Sequence, residues 1–122
     1  MDYNVRGKIL PMDALEEGLL LFDAGEYFDA QEHFKKIPNE ADPSTQKLYK
    51  ALDRLNMGFC LYENEEAEKA KVMILDGYSK LRDLKMEHPL FSVNRLMHDL
   101  EKVDKDLQNG KKIHVIPKIH FL

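Results

Sequence analysis

The sequence predicts an all-α fold: about five helices in two antiparallel hairpins, then a last helix and a short extended tail. Three observations carry this. Apolar residues recur at steps of three and four from Leu15 to Leu107, the spacing of one helix face. Helix breakers stand between the periodic runs: Gly25, Pro38, Asn64, His88-Pro89 and Gly110. The first hairpin also overlays the second at an offset of 40 residues without a gap.

Residues 1–11 carry no clear period, and Pro11 closes them. Asp13 with Glu16 three positions on forms a capping-box pattern. Leu15, Leu19 and Phe22 then line one helix face, and Gly25 stops it. A second helix is expected from about Glu26 to Ile37, with Tyr27, Ala30, Phe34 and Ile37 inward and Pro38 as terminator. These elements make hairpin one, residues 12–37.

Asn39 to Asp42 is a polar loop, and Asp42-Pro43 combines an N-cap with a first-turn proline. Leu48, Leu52, Leu55, Phe59 and Tyr62 mark the third helix. The fourth runs from about Glu66 to Met86, with Ala67, Ala70, Ile74, Gly77, Leu81 and Leu84 on one side. Hairpin two is therefore residues 43–86. Ser92 is the next N-cap, and Phe91 with Leu96 fits a hydrophobic staple. Val93, Leu96, Leu100, Val103 and Leu107 stripe the last helix, residues 91–109 with its lead-in. Gln108-Asn109-Gly110-Lys111-Lys112 comes after a helix and is its stop, not a phosphate loop.

The tail, residues 111–122, changes to period two. Ile113, Val115, Pro117, Ile119 and Phe121 alternate with Lys112, His114, Ile116, Lys118 and His120. A lone strand has no sheet to join in a helical domain. The tail is expected to lie in a helix groove of its own chain or to pair with a second copy.

The 122 residues fit one domain, 1–122, and 43% apolar composition supports a packed core. Eighteen basic against 22 acidic residues leave a formal charge of −4, which gives no strong attraction to nucleic acid. The run Leu19-Leu20-Leu21-Phe22 is too short to span a bilayer, and no signal-peptide pattern opens the chain. A cytoplasmic protein without nucleic-acid or membrane partners is expected. Cys60 is the single cysteine, within Gly58-Phe59-Cys60-Leu61-Tyr62, and is expected to act as a small buried hydrophobe.

In the repeat, Gly18 meets Gly58, Phe22 meets Tyr62, Glu26 meets Glu66, Ala30 meets Ala70, and Phe34 meets Ile74. A glycine on the first helix and an alanine on the second let two backbones approach, with larger residues closing the gap. The first hairpin resembles a tetratricopeptide repeat in Gly25-Glu26-Tyr27, Ala30, Phe34 and Pro38. The second departs at Glu65, where that repeat has its turn glycine, and the 40-residue period is longer than the usual 34.

The run Leu21-Phe22-Asp23-Ala24-Gly25-Glu26-Tyr27-Phe28-Asp29-Ala30-Gln31-Glu32 resembles the signature of a helical family of archaea and bacteria, domain of unknown function 309. The helix Ala51 to Tyr62, the turn at Asn64, the helix Ala70 to Leu84 and the tail around Pro117 are similar to the remaining elements of that family. The resemblance implies a compact helical fold and no established activity. This chain has Gln31 where the family has histidine and contains no tryptophan, so any chemistry of that His-Glu pair would be altered here.

The most suggestive polar group is Asp29, Glu32 and His33. Asp29 and His33 share a helix face and Glu32 is adjacent, so a carboxylate could orient the imidazole for acid–base work. The plainer alternative is a solvated outer face, and a third is Glu32 reaching inward as an anchor. The five histidines form no His-Glu-x-x-His spacing. His114 and His120 would stand roughly 20 Å apart on an extended tail, too far to share a metal. Neither a metal nor a cofactor is expected. Lys69, Lys71, Lys80, Arg82 and Lys85 make the fourth helix basic on its polar side. The pattern points to a non-enzymatic protein-interaction or scaffold module, partnered by another protein or by a second copy. The alternative is a small enzyme or ligand-binding protein centred on the second helix.

Overall fold

The computed structural model describes residues 13–38 and 42–122; the readings on residues 1–12 and on 39–41 of the polar loop lie outside the described residues. The helices are α1 (Ala14–Asp23), α2 (Tyr27–Lys35), α3 (Pro43–Glu63), α4 (Ala67–Leu84) and α5 (Val93–Gln108). Among the described residues no sheet forms; one isolated antiparallel bridge joins Phe91 to Phe121.

The N-caps are the residues the sequence nominates. Asp13 accepts the Glu16 amide at 2.9 Å. Asp42 accepts the Thr45 hydroxyl at 2.6 Å as well as the Ser44 and Thr45 amides, with Pro43 opening α3. Ser92 accepts the Arg95 amide at 3.1 Å. At α5 a second cap comes from outside the helix: the Glu87 carboxylate takes the Val93 and Asn94 amides at 2.8 and 2.9 Å. Orphan amides at a helix start carry partial positive charge, so a carboxylate spanning two of them suits both hydrogen bonding and the dipole. The expected bounds shift at α2, which ends at Lys35 before Pro38, and at α4, which ends at Leu84 with Lys85 in the left-handed region.

The repeat holds atom by atom at the turns. Glu26 N–H donates to Leu21 at 2.8 Å, and Glu66 N–H donates to Leu61 at 3.0 Å. Inside the hairpins, a Cβ on Gly18 would stand 2.9 Å from the Phe34 ring, and one on Gly58 would stand 2.6 Å from Ile74 Cγ1. These are equivalent pairs at the 40-residue offset.

Each helix packs chiefly on its neighbours in sequence, α3 on α4 most extensively. That is the nearest-neighbour order of stacked helical hairpins. Because α3 lies between α2 and α4, it buries Ala51, Asn56 and Gly58 as well as Leu48, Leu52, Leu55 and Phe59 of its expected stripe, whose last member, Tyr62, is half-buried. Phe22, Tyr27 and Phe59 join the hairpins through edge and stacked contacts, with centroids 5.4 to 5.9 Å apart. Burial, with the nearby charges of Glu63 and Asp23, pushes the Tyr27 phenol up to about 12.

Two readings change. Ala67 is exposed at the first position of α4, and the inward face of the helix begins only at Ala70. Cys60 is only partly buried, and desolvation followed by the Glu63 charge raises its thiol pKa.

Candidate functional site

Asp29 and Glu32 lie on the solvent side of α2. His33 is half-buried and pairs across the hairpin with Glu17 of α1, Nδ1 to Oε2 at 3.1 Å, and not with its α2 neighbours. The structure therefore does not gather the three into a pocket, and Glu32 does not reach inward. Gln31, at the family's histidine position, is half-buried. Along α4 the basic side is largely occupied: Lys69 pairs with Glu66, Lys80 with Asp76, and Arg82 lies 5.2 Å from the Tyr78 ring centroid.

The densest polar arrangement is one the sequence did not nominate. After Gly110 the chain turns back and runs antiparallel to α5, with Pro117 and Ile119 buried, Ile113 and Val115 half-buried, and His114, Ile116 and Lys118 exposed. The period-two reading of the tail holds from Lys112 to Ile119 and fails beyond it, where Phe121, expected inward, is exposed and His120 is half-buried because only one short bridge at Phe91 covers the end. The tail docks within its own chain. An extended segment outside a sheet must find acceptors for its amides. Here side chains of the helices supply them. The Tyr62 hydroxyl accepts from Ile113 N–H at 3.0 Å, and Asp106 accepts from His114 N–H at 3.1 Å. Asp99 accepts from Lys118 N–H at 3.2 Å, and Asp23 from Ile119 N–H at 2.8 Å. Pro117 brings no amide, so the wall beside it needs no acceptor. The end is tied by Ser92 N–H to His120 O and Leu122 N–H to Leu90 O, at 2.9 and 3.0 Å.

Side chains add charge to this backbone pattern. Lys118 Nζ donates to the Asp23 carbonyl at 2.9 Å. That carbonyl lies at the C-terminus of α1, where the helix dipole favours a cation. The His114 ring bonds to Asp106. Burial works to raise the Asp106 carboxyl, but bonds from the His114 amide and ring, with the His114 and Lys111 charges, hold it below the ordinary carboxylate value. His120 lies at the other end of α5, its Nδ1 accepting from Arg95 at 3.3 Å. The two tail histidines thus stand apart, as an extended segment requires.

Beside the tail, between α4 and α5, opens a cleft of about 490 Å³ lined by Tyr78, Arg82, Arg95, His98 and His120. Asp99 and Glu101 share its walls, so the arginines do not give it a strong net positive field. Among the described residues no group of three His, Cys, Asp or Glu side chains could hold a metal ion. Nor is any helix there long and apolar enough to cross a membrane.

Comparison of the chain with protein-family models, with curated proteins and with solved structures finds no match. The resemblances to the tetratricopeptide repeat and to domain of unknown function 309 rest on the residues quoted for them.

Proposed function

We propose that this chain is a non-enzymatic protein-interaction module. The observation that carries the reading is the docked tail. A peptide segment in extended form is held by side chains from α1, α3 and α5, through its amides at Ile113, His114, Lys118 and Ile119. That is peptide recognition, carried out by the fold on part of itself. The stacked hairpins and the tetratricopeptide-like run at Gly25-Glu26-Tyr27 support the same class by analogy of fold.

Chemical crosslinking in the cells that make the protein, read by mass spectrometry, tests the reading. Crosslinks from Lys112 or Lys118 to one recurrent partner, or to a second copy, are expected. The reading fails if crosslinks are only intramolecular and a small molecule raises the melting temperature of the wild type but not of Asp29→Asn or His33→Gln. That result would favour a ligand site on α2.

A further inference from the structure

The groove under residues 113–122 has a composition that selects its occupant, and this inference rests on the interaction reading. Its floor and rim carry Asp23, Asp99 and Asp106, each accepting a tail amide. The tail itself holds Lys111, Lys112 and Lys118 and no acidic side chain, in a chain whose net charge is −4. Inward positions are mostly apolar, and charge matches at the rim: the His114 ring bonds to Asp106, Lys111 lies near enough to help hold that carboxyl low, and Lys118 Nζ reaches the Asp23 carbonyl at 2.9 Å.

The fastening is local. Residues 109–112, which link α5 to the tail, are all exposed, with Gly110 at φ 66°. Phe121 and Leu122 remain 38% and 80% exposed, and their fastening is the short bridge at Phe91. Rotation at the exposed linker could free the tail while every helix keeps its sequence neighbours.

We propose that this strip of α1, α3 and α5 is a binding site for an extended partner peptide alternating apolar and basic residues, and that the chain's own tail is its resident competitor. A partner segment displaces the tail by presenting the same amide ladder and the same alternation. Apparent affinity is then set by the fraction of molecules whose tail is undocked.

The test uses the full chain and a fluorescent peptide of the sequence of residues 111–122. The wild type should bind it weakly. Ile119→Ser in the chain, which loosens the resident tail, should bind at least tenfold more tightly. Adding Asp99→Asn should weaken that binding, and a peptide with its lysines replaced by glutamate should bind tenfold less well. Equal binding by wild type and Ile119→Ser, or equal binding of both peptides, overturns the proposal. Dimerisation of the wild type with exchanged tails, seen by sedimentation, also overturns it, because the occupant is then a second copy. If Ile119→Ser does not fold, hydrogen exchange on the wild type decides. The amides of Ile113, His114, Lys118 and Ile119 should exchange faster than the slowest α3 amides. Exchange only at the global unfolding limit means the tail never leaves alone, and the proposal fails. A recurrent crosslinked partner found without peptide binding would leave the interaction reading standing and remove this site from it.

Discussion

Glu65 holds the left-handed backbone, φ 62°, that Gly25 holds 40 residues earlier at φ 79°. Both come after the end of a helix where the chain reverses, and both donate their amides to the equivalent carbonyls of Tyr62 and Phe22, at 3.1 and 3.0 Å. Glycine adopts this conformation freely, whereas a residue with a Cβ is strained by about 1 kcal/mol. Glu65 is exposed, so its side chain has little packing to lose. Relief of that strain is partly offset by the roughly 0.4–1 kcal/mol of unfolded-chain entropy a glycine adds, so Glu65→Gly is expected to stabilise the protein by up to about 0.5 kcal/mol in urea denaturation. A loss of stability would show an attraction at Glu65 that the geometry does not contain.

Gly58 should behave in the opposite way to a helical glycine elsewhere. Replacing an interior helical glycine by alanine normally gains about 1 kcal/mol of helix propensity. At Gly58 the new Cβ would meet Ile74 Cγ1 at 2.6 Å and the Ile74 backbone nitrogen at 3.0 Å. Backbone cannot step aside, so Gly58→Ala should lose about 1–3 kcal/mol net. Gly18→Ala meets only the Phe34 ring, at 2.9 to 3.2 Å, and a ring can tilt. Its loss should be smaller. The order of the two melting temperatures is the check, and a stabilising Gly58→Ala would dissolve the close crossing of α3 and α4.

The helices were legible because their signals are local. Asp13, Asp42 and Ser92 cap through their own side chains, within three residues of themselves. The hairpin pairing was legible through the repeat, including the anomaly at Glu65. What stayed hidden depends on residues far apart in sequence. Asp23 meets Ile119 across 96 positions and Tyr62 meets Ile113 across 51, and no period announces either. One trace was present: Asp23 and Asp106 sit in the last turns of α1 and α5, where the dipole opposes a carboxylate. Acids placed there are accounted for by the tail amides they receive. The α2 group misled because equal spacing on a helix says nothing of which face is covered; His33 turned to Glu17 on the neighbouring helix.

Asn56 is the fully buried polar side chain between α2 and α3. Its Nδ2 donates to the Tyr27 carbonyl at 2.9 Å, while Oδ1 has no partner among the described residues. Asn56→Asp would replace the donor by a buried acceptor facing a carbonyl, with a charge that nothing offsets. The expected loss is about 3–5 kcal/mol. Asn56→Leu removes the orphan acceptor along with the donor, and the Tyr27 carbonyl keeps its place in the α2 ladder. Its loss should stay under about 1.5 kcal/mol. Chemical denaturation of both variants distinguishes a needed donor from a tolerated one.

His88 should make the fold sensitive to mild acid. Its Nδ1 accepts the Leu90 amide at 3.0 Å, and its ring lies near Tyr49 and Phe91. Burial lowers its pKa from 6.5, with the Asp13 carboxylate working weakly the other way. A depressed histidine pKa means the folded state prefers the neutral ring. Its contribution is present above about pH 6.5 and is lost as pH falls toward the folded value. Protonation also puts hydrogen on the nitrogen that the Leu90 amide needs. The melting temperature should fall between pH 7 and pH 5. His88→Asn, whose Oδ1 can accept the same amide, should flatten that slope. A further fall is expected in stronger acid from Asp76, whose carboxyl is held low by the Lys80 hydrogen bond against some burial, and then by Arg54. A flat profile from pH 7 to pH 5 would remove His88 from this role.

The strength of tail docking can be read at Ile119, which is 6% exposed and donates its amide to Asp23. Ile119→Ala keeps the amide and removes most of the buried side chain. A well-covered isoleucine cut to alanine loses about 2–5 kcal/mol. The lower half of that range is expected here, because the tail lies at the surface and can settle into the space. The denaturant slope gives a second, independent reading. If the shortened tail stays docked, unfolding exposes nearly the same area and the slope is unchanged. If the tail has already left the helices in the native state, less area remains to be exposed and the slope falls. Deleting residues 111–122 sets the undocked limit, with a lower melting temperature and binding of an apolar dye to the surface uncovered around Phe91. Wild-type stability in both variants would mean that the buried face of Ile119 contributes nothing, and the docked tail would lose its energetic basis.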